Sequence, residues 1–396
     1  MTSAHDNLPG GTFLIQAQER VIFGKPVAQA LAEELARLNV SRVLVTSSKS
    51  LASLHDGPLQ WVERALGARH AATFATIRAH SPREDVIAGA AVARACNADL
   101  LLAVGGGSVI DASKAMLLCL WHDLQVTDAM EPFRTGLAPP LSRAINAPPN
   151  PVRLITVSTT LSASEFNPTA GVTDASKHAK QSYRHRLLVP QTVILDPACT
   201  LDTPADLLYS TGIRAVDHAV ESYCSPLANP ATQVLSLHGL QLLSRALTKI
   251  KSHPQDLLSR HEAQLGMWQA IAGSVAGAGT GASHGIGYVL GAGYGVAHGH
   301  TSCVMLPAVM RWNALTNAAA HRVLAQAMGS PERMAGDLVA ELIASLDQPG
   351  TLQAVGIKRS DLDTIAKRAL DYPNVRMNPR PISEPSHVRE ILELAW

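Results

Sequence analysis

Two observations predict an α/β domain built on a largely parallel sheet, followed by an all-helical domain. Over residues 1–200, short apolar runs of strand length alternate with amphipathic stretches, the pattern of right-handed βαβ units. From about Thr203 the strand signals fade and long Ala/Leu-rich segments take over. A chain of 396 residues accommodates two ordinary domains, here 1–200 and 201–396.

The elements follow in order. Residues 26–38 read as an amphipathic helix, 42–46 (RVLVT) as a buried strand and 71–77 as another strand. The turn residues Ser81-Pro82 lead into a helix over 84–96. Residues 100–104 (LLLAV) form a strand that stops at Gly105, Gly106, Gly107 and Ser108, and an Ala-rich amphipathic stretch follows. Strand, glycine turn and helix N-terminus make a natural anion site, because glycine lets the backbone approach closely and the first helical N–H groups point outward. The guest would be a phosphate or pyrophosphate. Asp111 and Lys114 in the following helix strengthen that reading. The spacing is neither G-x-G-x-x-G nor a P-loop. Residues 121–151 carry six prolines and little periodicity, and read as a surface excursion. Strands follow at 153–157 and 192–195. Thr203-Pro204 opens the first of the helices at 205–224, 231–252, 260–276, 318–328 and 334–346.

Composition narrows the function. The chain is 46% hydrophobic, 16% charged and 4% aromatic with a formal net charge of +1, so neither a basic nucleic-acid surface nor base stacking is expected. Cys96, Cys119, Cys199, Cys224 and Cys303 are dispersed with no C-x-x-C pair, which fits reduced thiols. Residues 1–12 are polar, and no apolar run approaches the roughly 20 residues that span a bilayer. A cytoplasmic protein that binds no membrane is expected. His218, His284 and His298 lie in separate segments of the helical half and could together hold a divalent metal. With 16 histidines in the chain, unrelated placement is the open alternative.

These motifs together resemble the iron-containing (group III) alcohol dehydrogenases and their relatives, the maleylacetate reductases, glycerol dehydrogenase and dehydroquinate synthase. The resemblance spans nearly the whole chain. It rests on Phe23-Gly24, GGGSVIDASK at 105–114, STTLSASE at 158–165, Asp196-Pro197, residues 212–221, His284 and His298 fourteen residues apart, and Asn378-Pro379-Arg380-Pro381. It implies a Rossmann-like nucleotide domain and a dehydroquinate synthase-like helical domain. It also implies NAD(H) or NADP(H) as cofactor, and homodimers, which are common among the relatives. Gly105, Gly106, Gly107 and Ser108 would cradle the pyrophosphate, Thr159, Thr160 and Ser162 would line the cofactor cleft, and Lys180 matches a cofactor-contacting lysine. Ser47 stands where NAD-specific members carry an aspartate that repels a 2′-phosphate, so NADPH should be tolerated beside NADH.

The departures from the family pattern are equally informative. Arg214 stands where metal-dependent members have an aspartate ligand, and a guanidinium repels a cation. A bound metal is therefore not expected; if one were present, His218, His284 and His298 would match its ligands. Tyr288 replaces another histidine of the family. Maleylacetate reductases also depart from the metal pattern at the Arg214 position, and Arg20 to Gly24 and the short TTLSASE loop look like theirs, whereas Asp111 is the alcohol dehydrogenase residue. The expected protein is an NAD(P)H-dependent reductase of a carbonyl or conjugated carbonyl, such as a maleylacetate-type dicarboxylate in aromatic compound catabolism. Arg214, His218, His284, His298 and Tyr288 would carry the chemistry on a small, anionic substrate. Asp217 reads as a solvated or interdomain carboxylate, and an interdomain salt bridge is the plain alternative for Arg214. The rival functions are a metal-dependent (Fe or Zn) alcohol dehydrogenase, an NAD-using lyase of the dehydroquinate synthase type, and a binding protein that has lost catalysis.

Overall fold

The computed structural model describes residues 11–138, 142–147, 152–175, 177 and 179–396. The chain divides into two compact units, Gln16–Thr203 and Pro204–Trp396, the latter including the segment that ends at Ile15. That segment moves the boundary from the one read in the sequence: Leu14 N–H donates to the Ala276 carbonyl at 2.7 Å.

In the first unit the order is β1 (Arg20–Phe23), α1 (Val27–Leu38), β2 (Val43–Thr46), α2 (Lys49–Ala52), α3 (Pro58–Leu66), β3 (His70–Phe74), α4 (Arg83–Ala95), β4 (Leu100–Gly105), α5 (Gly107–Trp121), β5 (Arg153–Ser158), β6 (Thr169–Asp174), β7 (Ala179–Arg184) and β8 (Thr192–Leu195). Six strands form one parallel sheet in the order β1-β8-β5-β4-β2-β3. The side chains of β4 alternate between its faces. Leu100, Leu102 and Val104 pack with α1 and α3, while Leu101 and Ala103 pack with α4 and α5. Burial on both faces explains why β4 reads as an uninterrupted apolar run. Each fully buried Leu contributes roughly 1.5–3 kcal/mol.

The sequence reading missed the antiparallel hairpin β6–β7. Its strands alternate partly buried and buried residues without a strong apolar run. The hairpin is tied down by a buried ion, Arg83 at the start of α4, which donates to Asp174 (3.2 Å), Glu131 (2.6 Å) and the Tyr183 hydroxyl (2.9 Å). Glu131 lies in a 3₁₀ turn, Thr127–Phe133, whose Met130 and Phe133 are buried in the core. Those residues correct the reading of 121–151 as a surface excursion. Residues 139–141 and 148–151 of that stretch lie outside the described residues.

The second unit is helical: α6 (Ala205–Cys224), α7 (Pro230–Ser252), α8 (Leu257–Gly273), α9 (Ala282–Tyr294), α10 (His298–Asn313), α11 (Ala318–Ala327), α12 (Ala335–Ser345), α13 (Leu362–Ala369), α14 (Pro373–Arg376) and α15 (Pro385–Leu394). The helices α9 and α10 were not anticipated. Glycines at 285, 287, 291 and 293 dilute the helical signal of α9. Gly287 lets α10 come close: a Cβ there would sit 2.9 Å from Thr301 Oγ1. Among the described residues no helix is long and apolar enough to cross a membrane.

Candidate active site

Two clusters form, one in each unit. In the first, β4 ends at Gly105 and α5 begins at Gly107, with Gly106 as a cap residue that offers no side chain. A Cβ at Gly106 would lie 2.7 Å from Thr160 Cγ2, and one at Gly107 would lie 3.2 Å from Ser162 Oγ. Thr160 and Ser162 therefore press against the glycine loop. The Ser162 hydroxyl oxygen is buried with no partner, which leaves a donor unspent beside the helix N-terminus. The loop is held from behind by Thr159 N–H to the Gly105 carbonyl (3.2 Å), and the Thr159 carbonyl accepts from the Thr203 hydroxyl (2.6 Å). Ser108 Oγ accepts from His80 N–H at 3.0 Å, and its carbonyl accepts from Ser81 at 2.7 Å. His80 and Ser81, of which the sequence reading marked only Ser81 and only as a turn residue, both hold left-handed backbones (φ 65° and 52°), a strain that tends to gather at working sites. The Lys180 side chain crosses Gly171 next to the Asp111 carboxylate. Burial, and then the Lys180 charge, hold the His80 imidazole below its ordinary range.

Three members of the expected cofactor set are engaged within the protein. The Lys114 side chain is fully buried, and its ammonium donates to Asp111 (3.1 Å), the Ser164 carbonyl (2.6 Å) and the Thr169 carbonyl (2.9 Å). Three acceptors exhaust its three protons, so Lys114 is a clamp rather than a phosphate ligand. Asp111 completes the clamp by accepting from Ser164 Oγ and from Gly171 N–H. Ser47 is also buried, and its hydroxyl donates to the Val104 carbonyl at 2.9 Å. What survives of that expectation is the lack of a carboxylate where β2 ends.

Beside the clamp, Glu165 is fully buried and both carboxyl oxygens lack a hydrogen-bond partner. Burial pushes its carboxyl above the usual range, with Ser158 and Lys114 offsetting part of the rise. A raised folded-state pKa stabilises the fold below the unfolded-state pKa and loses that contribution as pH rises through the folded one. Glu165→Gln cannot ionise and is therefore expected to be more stable than the parent at pH 8, by about 1.4 kcal/mol for each unit by which the carboxyl is raised. The difference should shrink toward pH 4.5. Denaturant unfolding of both proteins at several pH values measures it; a difference independent of pH would refute it.

The second cluster is built by α6, α9 and α10. The residues one turn apart on α6, Arg214, Asp217, His218 and Glu221, are all buried. The cap residue of α9 is Gly281, again without a side chain, and Glu221 does the capping from α6: it accepts from Gly281 N–H (2.7 Å) and Ser283 N–H (2.6 Å). It also bonds His284 Nδ1 at 2.7 Å. Asp217 is fully buried, which overturns its reading as a solvated group. Its Oδ2 accepts from Ser283 (2.8 Å) and Ser302 (2.6 Å) and lies 3.4 Å from His284 Nδ1. Arg214 donates to Ser302 Oγ at 3.0 Å, a partner within its own helical unit.

His218 and His284 come together with ring centroids 4.7 Å apart. His298 joins through Tyr288, which stacks on it at 6.1 Å, meets His284 edge-on at 6.4 Å and lies under the Arg214 guanidinium at 5.9 Å. The two adjacent imidazoles are shifted in opposite directions. Burial, then His284 and Arg214, hold His218 well below its ordinary range and so neutral. Burial and Arg214 also oppose charge on His284, but Asp217 and Glu221 outweigh them and keep it above its ordinary range. His284 Nε2 and His218 Nδ1 are buried with no partner. Titratable groups pushed apart in this way are the usual basis of an acid and base assignment. The sequence reading gave Glu221 no part in the cluster and set Asp217 aside as a solvated or interdomain carboxylate. Their only signal was their spacing on the face that carries His218.

A glycine turn between strand and helix on a parallel sheet, in a chain that also carries a buried histidine and arginine cluster, suits a nucleotide-dependent oxidoreductase. The chain belongs to the iron-containing alcohol dehydrogenase family: the iron-containing alcohol dehydrogenase model matches residues 18–197, and the C-terminal model of the Fe-containing alcohol dehydrogenase family matches 208–396. It is an NAD(P)-dependent oxidoreductase. It is 30% identical to Dehydrogenase FUM7 of Gibberella moniliformis, covering 95% of both chains. It is 29% identical to the maleylacetate reductase of Burkholderia cepacia, covering 97% of both. The crystal structure of maleylacetate reductase from Agrobacterium tumefaciens superposes with a TM-score of 0.82 at 25% identity, over 98% of this chain and 99% of that one.

Proposed function

We propose that the protein is an NAD(P)H-dependent reductase of a conjugated carbonyl dicarboxylate of the maleylacetate type, working without a catalytic metal. The observation that carries this reading is Arg214, a buried guanidinium among His218, His284 and Tyr288. The bound nicotinamide supplies a hydride. Arg214 holds a substrate carboxylate or the oxygen on which charge develops, and a charge-assisted contact of this kind is about twice as strong as a neutral hydrogen bond. His284, whose charged form Asp217 and Glu221 favour, turns its Nε2 toward that oxygen or the enolate carbon as the proton donor. Tyr288, His218 and His298 shape the wall around it. At the other cluster, Gly105 to Gly107, Ser108 and Ser162 suit a pyrophosphate, and a β2 end without a carboxylate suits NADPH as well as NADH.

The residues do not fit a tightly bound divalent cation. Ligand-type atoms of Asp217, Glu221 and His284 lie within 4.8 Å of one another. However, Glu221 is engaged by the α9 N-terminus and His284, Asp217 Oδ2 by two hydroxyls, and Arg214 adds a repelling charge. The test is cofactor absorbance during turnover with NADH and NADPH, on maleylacetate and on short aldehydes and ketones, with and without a chelator. Chelator-resistant oxidation on the dicarboxylate is expected. Activity confined to neutral carbonyls and lost to chelator would establish the metal-dependent alcohol dehydrogenase instead.

A further inference from the structure

We propose that Asp217 is a positioning residue that aims Arg214 through the Ser302 hydroxyl, an internal charge relay built where the family's metal-dependent members would bind their cation. The inference rests on the reading of Arg214 given above and extends it to the Ser302 and Ser283 hydroxyls, which that reading did not use. The direction of the relay follows from proton counting. The single proton of Ser302 goes to Asp217 Oδ2 at 2.6 Å, so the Ser302 oxygen is left as an acceptor, and the Arg214 guanidinium fills it at 3.0 Å. Ser283, on a different helix, donates to the same carboxylate oxygen at 2.8 Å and fixes it from the other side.

An arginine and an aspartate that merely stabilised the fold would pair directly and bidentately. Here no direct Arg214–Asp217 ion pair forms within 4 Å, and one hydroxyl stands between the charges. The guanidinium thereby keeps donors for an anionic guest while its orientation is set. Asp217 is fully buried and its Oδ1 has no partner, an arrangement that fold stability alone would select against.

A double-mutant cycle tests the relay: the parent, Asp217→Asn, Arg214→Ala and the double variant, each assayed for kcat/KM on maleylacetate with NADH. Asp217→Asn should cost tenfold or more with Arg214 present and at least threefold less than that in the Arg214→Ala background, where only its contact with His284 is lost. Ser302→Ala should reproduce the loss and Ser302→Thr, which keeps the hydroxyl, should recover most of it. These two also serve if Asp217→Asn does not fold. Equal losses in both Arg214 backgrounds, or a Ser302→Ala protein as active as the parent, would overturn the relay and leave the role of Arg214 standing. An Arg214→Ala protein with undiminished activity would overturn both.

Discussion

Replacing Arg214 by alanine is expected to lower kcat/KM on maleylacetate by about 10²–10³-fold, the scale of removing one charge-stabilising donor from a water-poor site. The guanidinium is 4% exposed and surrounded by Ser302, Tyr288 and the two imidazoles, so no solvent molecule replaces it at low cost. The loss should be smaller on a short neutral aldehyde, which has no carboxylate to orient. Arg214→Lys should recover only part of the rate, because an ammonium restores charge but not the planar fork. Steady-state kinetics on both substrates decides the matter. Equal loss on neutral and anionic substrates would remove the carboxylate role and leave Arg214 as a general electrostatic or packing group.

The largest effect on stability is expected at Gly299, the second residue of α10. A Cβ there would lie 2.6 Å from Ser210 Cβ, 2.7 Å from the Ser210 carbonyl carbon and 2.8 Å from its oxygen. These are backbone and near-backbone atoms of α6, so no flexible side chain can yield. Gly299→Ala must push α10 away from α6, at about 3 kcal/mol, and Gly299→Val at more. In a domain of this size each kcal/mol lowers the melting temperature by about 2–4 °C. Gly350→Ala is the control, since nothing lies within 4 Å of its Cβ position. The same displacement separates Ser302 from Arg214, so any folded Gly299→Ala protein should also lose rate on maleylacetate. A melting temperature equal to that of the control would mean that the two helices slide past each other without cost.

The readings that succeeded share a local cause. The parallel sheet was legible because strands such as β4 are buried on both faces and so appear as unbroken apolar runs. The glycine cradle was legible because a tight turn from strand to helix is written in consecutive residues, Gly105 to Ser108. Asp111 and Lys114 were read too eagerly from the same stretch. Their partners, Ser164, Thr169 and Gly171, lie about fifty or more residues away in sequence and spend their charges before any ligand could.

The amino-acid sequence by itself determined the two-part architecture, the family and the residue types of the site, including the arginine that replaces a metal ligand. Periodicity and contiguous motifs are properties of neighbouring residues and need no fold to be visible. Only the tertiary structure decided which groups are charged and what each one faces. Asp217 is a solvated carboxylate until α9 and α10 close over it with Ser283 and Ser302. His284 is one of 16 histidines until Glu221 reaches across from α6 to bond it. Protonation and orientation are set by burial and by partners distant in the chain, and those exist only once the helices have packed.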